Sequence, residues 1–183
     1  DRPTREEILE ERQQREEEEE SEPQGIKPPK PDVSSPSHPE VDTWYSNNDP
    51  EFSWKILPSL TGISFNISQV PEDDPDDETE GVVETKQFED VEDGEWFFHL
   101  KYQNKYGWGE ISHRKFLVDA TPPEDFDVTV DHGGDPTNPS PRIVFHTTDE
   151  TSGLSHYDLV IGDNSRKVSP DEVADDGFLR PDP

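Results

Sequence analysis

The chain has 183 residues and a formal net charge of −29, with 26% hydrophobic and 33% charged residues. Such a composition excludes one large core and favours two small domains plus a polar arm. The charge excludes ordinary nucleic-acid binding and disfavours anionic membrane surfaces, because lysine and arginine recognise both. The lack of cysteine excludes disulfides, thiol catalysis and cysteine-bound zinc.

An acidic arm and a proline-rich segment open the chain. Residues 1–22 carry eleven acidic and four basic residues, and predict a solvated, partly helical spacer with no apolar face to bury. An acidic helix that binds a partner is the alternative interpretation. Residues 23–40 contain six prolines and predict an extended polyproline-type linker. Residues 1–36 are accordingly assigned to the spacer and the Pro-rich linker.

The first predicted domain spans residues 37–119. Alternating apolar residues predict strands at 52–56 and 63–67, joined by a turn around Pro58 to Gly62. A further strand is expected within 82–88. The turn signals recur at the spacing of a β-sandwich.

The clearest pattern in the chain lies in Val91–Ser112. The turn signal Asp93-Gly94 leads into a strand with a period of two. One face carries Trp96, Phe98, Leu100 and Tyr102, and the other carries Glu95, Phe97, His99 and Lys101. A second turn, Asn104 to Gly109, leads into a predicted strand at Ile111–Val118. Such a hairpin covers one side of a sandwich core.

The second predicted domain spans residues 120–183. Its boundary is the segment 119–123, in which Pro122-Pro123 cannot continue a central strand. Strands are predicted from Phe126 to Val130, from Ile143 to Phe145 and from Leu154 to Ile161, after which the pattern fades into polar residues. A sandwich needs about 90–100 residues, so this second domain is expected to be incomplete.

These residues resemble a fibronectin type III domain over most of residues 37–119. The resemblance is carried by Phe52-Ser53-Trp54, by Thr61-Gly62-Ile63-Ser64-Phe65, and by Asp93-Gly94, Trp96, Phe98, Leu100, Asn104, Gly107, Gly109 and Ser112. The family usually has a corner tyrosine where Trp96 stands. An indole offers only an N–H donor.

The segment Trp44 to Asn48, the DGxWxFH strand and the Asp-x-x-Pro-Pro link are similar to Ig-like repeats of bacterial cell-surface proteins. The resemblance implies an all-β chain of tandem Ig-like sandwiches after a disordered acidic arm. It also implies extracellular display, as stalk or adhesive modules, with other surface proteins or glycans as candidate partners. It does not imply a ligand.

Two metal sites are considered. His99 and His113 are expected to be neighbours across the hairpin, but zinc needs three or four ligands, so no zinc site is assigned. Residues 72–95 hold thirteen acidic side chains and one lysine, and weak calcium binding is considered there. The loop 72–78 lacks the EF-hand spacing, so a solvated, self-repelling loop is the simpler interpretation. The carboxylates of Asp119, Glu124 and Asp125 are a further candidate cation site.

Four aromatic residues near strand ends or turns are the candidate ligand contacts: Trp44, Tyr45, Tyr106 and Trp108. Aromatic faces stack on sugar rings, and binding residues concentrate on loops. The alternative is that Trp44 and Trp108 fold back to cap the sandwich ends and add core area.

No catalytic residue or cofactor site is predicted, because nothing resembles a nucleophile elbow or a glycine-rich phosphate loop. No apolar run approaches the ~20 residues of a membrane span, so no direct membrane insertion is expected. The predicted function is therefore a non-enzymatic extracellular module that spaces, displays or adheres at a bacterial cell surface. The alternatives are a glycan-binding accessory module of a secreted enzyme and an adhesion module rigidified by calcium.

Overall fold

The computed structural model of this chain describes residues 25–139, 141–173 and 178–179, so the predicted acidic spacer lies outside the described residues. The described chain is all-β apart from a short 3-10 helix at Pro170–Glu172. Its strands are β1 (Val33–Ser34), β2 (Trp44–Tyr45), β3 (Glu51–Trp54), β4 (Gly62–Ser68), β5 (Thr85–Gln87), β6 (Gly94–Asn104), β7 (Gly107–Val118), β8 (Thr129–Asp131), β9 (Arg142–Val144), β10 (Tyr157–Ile161), β11 (Asn164–Val168) and β12 (Phe178–Leu179). Within these residues, no helix has the length and apolar character needed to cross a membrane.

Two compact units make up the chain. The first takes the sequence up to Thr43 together with Asp49–Val91 and Glu95–Leu117, and the second takes Trp44–Asn48, Glu92–Gly94 and the chain from Val118 onward. Most of the predicted strands of the first domain therefore fall in the first unit.

Two sheets build the first part of the chain, with strand orders β1-β3-β5 and β2-β7-β6-β4. Strand β3 pairs antiparallel with β1 and with β5, and β4 pairs antiparallel with β6. The register places Phe65 opposite Leu100 and Ile63 opposite Tyr102. Because side chains alternate along a strand, each sheet presents one row of large apolar residues.

The core of the first unit is aromatic. Phe98 of β6 stacks on Phe52 of β3, with ring centroids 4.2 Å apart and planes 4° apart. Trp54 lies 5.6 Å from Phe98, and Phe116 of β7 meets Phe52 edge-on at 5.1 Å. Side chains of the two sheets thus pack against each other, as the alternation in Val91–Ser112 predicts.

A tyrosine hydroxyl also ties this unit together, although not at the position where the resemblance expects one. The Tyr102 hydroxyl donates to the Lys55 carbonyl at 2.8 Å. Burial is the largest cause that raises the pKa of Tyr102 to about 12, followed by the negative charge of Asp32. The Trp54 indole N–H donates to the Val83 carbonyl at 2.7 Å, so the polar ends of both rings are satisfied inside the core.

The proline-rich segment does not behave as a free linker where the structure describes it. Val33 pairs with Trp54 and Ser34 with Ser53, and the Ser35 hydroxyl donates to the Glu51 carbonyl at 2.6 Å. Proline lacks an N–H, so it is tolerated beside an edge strand such as β1. An extended proline-rich chain can therefore lie along a sheet edge, and composition alone does not separate that case from a linker.

The turn of the central hairpin is shorter than predicted. Strand β7 begins at Gly107, so the turn is Lys105-Tyr106 instead of Asn104 to Gly109. Gly107 has a φ of 107°, a backbone conformation that glycine adopts at little cost. Trp108 consequently lies on strand β7 and not on a loop.

The second unit has two small sheets, of order β12-β9-β8 and β10-β11. Its core contains Ile143, Phe145 and Val168, with Tyr157, Leu159 and Val173 packed against them. The prediction that the pattern fades after Ile161 is wrong, since β11 pairs with β10 along its whole length. Gly162, with a φ of 58°, closes this tight hairpin, and Val168 is fully buried.

Candidate ligand-binding site

A cleft of about 570 Å³ opens in the first unit beside the β6–β7 hairpin. This volume lies within the usual range for small-molecule sites, about 300–1,000 Å³. Its functional groups are two aromatic rings, three ammonium groups and two carboxylates, from Tyr106, Trp108, Lys27, Lys101, Lys105, Asp74 and Asp77. We call it the hairpin cleft.

The tight hairpin turn positions the two aromatic residues. The Asn104 side-chain oxygen accepts the Tyr106 backbone N–H at 2.8 Å, a local bond that asparagine commonly makes in turns. Gly107 follows with a positive φ. Trp108, the second residue of β7, is part of the cleft lining. Both rings are half-buried, so part of each is anchored and part faces solvent.

A buried lysine stands under Trp108. The Lys101 side chain is 4% exposed, and its Nζ contacts Oδ1 of Asp74 at 2.8 Å and Oδ1 of Asp77 at 2.7 Å. The same Nζ lies 5.1 Å from the centroid of the Trp108 ring, within the range of a cation–π contact. Lys101 therefore fixes both the acidic loop and the indole.

The electrostatics of Lys101 follow from this geometry. Burial, the largest cause, lowers the pKa of Lys101, but the hydrogen bonds and charges of Asp74 and Asp77 outweigh it and leave the pKa raised. The ammonium thus stays charged at neutral pH. The side chains of Asp74 and Asp77 remain 69% and 77% exposed. Each carboxylate can accept several hydrogen bonds, so both keep acceptor capacity for a ligand hydroxyl.

Residues 25–28 run along the hairpin and complete the cleft. The Asn104 amide donates to the Ile26 carbonyl at 2.9 Å. A β-carbon at Gly25 would overlap the Tyr106 ring, and one at Gly109 would overlap the Pro28 carbonyl oxygen. Lys27 is carried by this segment to the tip of the hairpin, where its Nζ would lie 4.0 Å from a β-carbon at Gly107.

The four candidate aromatic contacts divide between the two units. Tyr106 and Trp108 line the hairpin cleft of the first unit. Trp44 and Tyr45 form β2, which is counted with the second unit, and they are not among the residues lining the cleft. Trp44 is 36% exposed, and the Tyr45 carbonyl accepts the Asp119 N–H at 2.9 Å.

In the sequence, the carboxylates of the cleft were considered only as cation ligands, and the three lysines were not identified as site residues. Lys101 was placed on the outer face of its strand, but its burial depends on the loop 72–78 folding over that face. One signal for this burial was present in the sequence. Lys101 lies on a strand, and the loop 72–78 holds six carboxylates and no cation of its own. Lys27 was not considered because its segment was interpreted as a linker. Lys105 was not considered because its turn was examined only for aromatic residues.

His99 and His113 are neighbours, as expected from the hairpin. Their Nδ1 atoms lie 2.7 Å apart, and His99 Nε2 lies 3.1 Å from the Ser68 hydroxyl. One Nδ1 must carry a proton and the other must accept it, so the pair is complete as a hydrogen bond. His99 is fully buried. Burial, followed by repulsion from His113, lowers the pKa of His99, against smaller opposite effects of Asp73 and the Val70 backbone.

This histidine pair predicts loss of stability on mild acidification. The pKa of His99 is lower in the folded protein than its ordinary value of 6.5, so the unfolded chain binds the proton more readily. Stability is therefore full above pH 6.5 and falls as the pH drops below it, by at most about 1.4 kcal/mol per pH unit for one proton. Urea unfolding between pH 7.5 and 5 will measure this slope. His99→Gln should flatten it, and an equal slope in that variant would contradict the assignment.

Carboxylates in the second unit accept hydrogen bonds from backbone N–H groups. Asp149 Oδ1 accepts the N–H groups of Thr151, Ser152 and Gly153, each at 3.1 Å, and Asp119 Oδ2 accepts the Ser152 N–H at 3.0 Å. Among the described residues, no group of three or more His, Asp or Glu side chains is arranged to hold a metal ion. Calcium binding by this chain stays a prediction.

No protein-family model matches this sequence, and no curated protein matches it. The hairpin cleft is therefore interpreted through its own side chains.

Proposed function

We propose that this chain is a non-enzymatic adhesive module, built from tandem Ig-like β-sandwiches and displayed outside the cell at a bacterial surface. Its first unit would attach to carbohydrate through the hairpin cleft. The strand order supports the Ig-like assignment. The order β1-β3-β5 and the order β4-β6-β7 within the four-stranded sheet β2-β7-β6-β4 are like those of the A-B-E and C-F-G strands of Ig-like domains, with β2 added beside β7.

The observation that carries the binding function is the composition of the cleft. Half-buried aromatic rings offer flat apolar surface to the C–H face of a sugar ring, while carboxylates and ammonium groups bond to its hydroxyls. Trp108 and Tyr106 supply the rings, and Asp74 and Asp77 supply acceptors.

Titration with a panel of neutral and acidic oligosaccharides tests this function. Binding should change the tryptophan fluorescence and should be seen in calorimetry. Trp108→Ala should weaken it about tenfold, since a stacked aromatic ring contributes on the order of 1.4 kcal/mol. Trp44→Ala is the matched control, because Trp44 lies outside the cleft lining, and it should bind as the parent protein does.

Failure of every saccharide in the panel to bind would reject the carbohydrate function. An equal loss in both variants would place the site elsewhere. Circular dichroism and thermal unfolding of each variant separate a lost contact from a lost fold.

A further inference from the structure

The hairpin cleft concentrates positive charge in a strongly negative chain. Three of the eight lysines of the sequence line it, although the net charge of the chain is −29. Lys101 pairs with Asp74 and Asp77, and these three groups together carry one net negative charge. The positive charge that remains for a ligand is that of Lys27 and Lys105, so three lysines and two aspartates give the lining a net charge of +1.

Both of these lysines are exposed, and neither forms an ion pair with a carboxylate among the described residues. Lys105 Nζ lies 4.7 Å from the centroid of the Tyr106 ring. Lys27 Nζ stands over Gly107 at the same tip. Two ammonium groups that have no carboxylate partner within the described part of the chain thus border the aromatic surface at one end of the cleft.

The carboxylates lie toward the other end. Asp74 and Asp77 are held by Lys101, which precedes Lys105 by four positions on β6 and its turn. A strand rises about 3.3 Å per residue, so the backbones of Lys101 and Lys105 are separated by about 13 Å along the hairpin. The cleft is therefore polar along its length, with cations at the hairpin tip and acceptors deeper along the strand.

We propose that the ligand of the hairpin cleft is an anionic sugar, held in one orientation. Its carboxylate or sulfate group contacts Lys27 and Lys105, its ring lies on Tyr106 and Trp108, and its hydroxyl groups donate to Asp74 and Asp77. This inference rests on the proposed function and names its ligand class. The negative charge of the remaining chain does not prevent it, because physiological salt screens charges beyond about 8 Å.

The test compares ligands that differ only in charge. Oligogalacturonate, the same oligomer with its carboxyl groups methyl-esterified, and a sulfated oligosaccharide are titrated by calorimetry at physiological and at high salt. The free acid should bind at least tenfold more tightly than the ester at physiological salt. This preference should shrink at high salt, because the exposed ammonium groups are screened.

The double variant K27Q/K105Q should lose this preference to within about twofold while it still binds the ester, since two exposed ammonium groups provide the selectivity. The matched control is K30Q/K55Q, which removes two lysines outside the cleft lining. This control should keep the preference for the free acid over the ester. If the sulfated sugar binds in place of the acid, and K27Q/K105Q weakens that binding, the inference is supported and the anionic group is a sulfate. Equal binding of acid and ester overturns the anionic ligand and leaves the carbohydrate function standing. Failure of all three ligands overturns the anionic ligand, and the wider saccharide panel then decides the carbohydrate function.

Discussion

Replacing Phe98 with alanine is expected to lower the free energy of unfolding of the first unit by about 3–5 kcal/mol. Phe98 is fully buried and lies at the centre of the aromatic core. Its ring contacts Phe52 at 4.2 Å, Trp54 at 5.6 Å, and Phe65 and Phe88 at 6.1 Å each. The variant loses the transfer free energy of the ring and leaves a cavity that flat, rigid neighbours fill poorly.

The neighbouring residue supplies the control. Phe97 points to the opposite face of β6 and is half-buried, so Phe97→Ala should cost only about 1 kcal/mol. Urea unfolding followed by tryptophan fluorescence measures both variants, because Trp54 stacks on Phe98. Equal losses in the two variants would contradict the assignment of the inner face of β6.

The inner face of β6 also shows which features the sequence predicts well. Phe98, Leu100 and Tyr102 are buried, as their period of two indicates, because one face of the strand must meet the other sheet. Strands likewise form at Glu51–Trp54, Gly62–Ser68 and Thr85–Gln87, which overlap the segments predicted at 52–56, 63–67 and 82–88. A local pattern is enough where burial alone selects the structure.

Two of the strands that were missed, β11 and β1, have a polar sequence or follow a proline-rich one. Strand β11 reads Asn-Ser-Arg-Lys-Val, and it forms because Gly162 closes a tight hairpin and Val168 enters the core. Strand β1 follows three closely spaced prolines and is held by backbone pairing with β3. Both depend on a partner strand, which is tertiary information that no local pattern carries.

The candidate site was predicted in part. Tyr106 and Trp108 were identified because exposed aromatic residues near a turn suggest binding. The buried position of Lys101 was not, because lysine is almost never fully buried unless it is paired. Its partners come from a loop more than twenty positions earlier in the chain, and only the fold brings them together.

Lys101 is buried, whereas its partners Asp74 and Asp77 are exposed. Removing the two aspartates is therefore expected to lower the free energy of unfolding more than removing the lysine. Removing both carboxylates in Asp74→Ala/Asp77→Ala leaves a charged ammonium buried without a partner, which should cost about 3 kcal/mol. Removing the cation in Lys101→Met leaves two carboxylates that water already reaches, and the apolar stem is replaced by one of similar size. That variant should lose about 1 kcal/mol or less. Urea unfolding at pH 7 compares the two, with Glu72→Ala/Glu80→Ala as a control for removing two loop charges.

The pH dependence of the stability of Asp74→Ala/Asp77→Ala is a second, independent test of the Lys101 pairing. In the parent protein the pKa of Lys101 is raised above 10.5 because its aspartate partners outweigh burial. Without these partners burial alone acts, so the pKa of Lys101 should fall below its ordinary value and the unfolded chain should bind the proton more readily. The double variant should then regain stability as the pH rises from 7 toward 9.5, whereas the parent and Lys101→Met should not. A double variant that is no less stable than Lys101→Met, and flat with pH, would show that the aspartates do not neutralise Lys101.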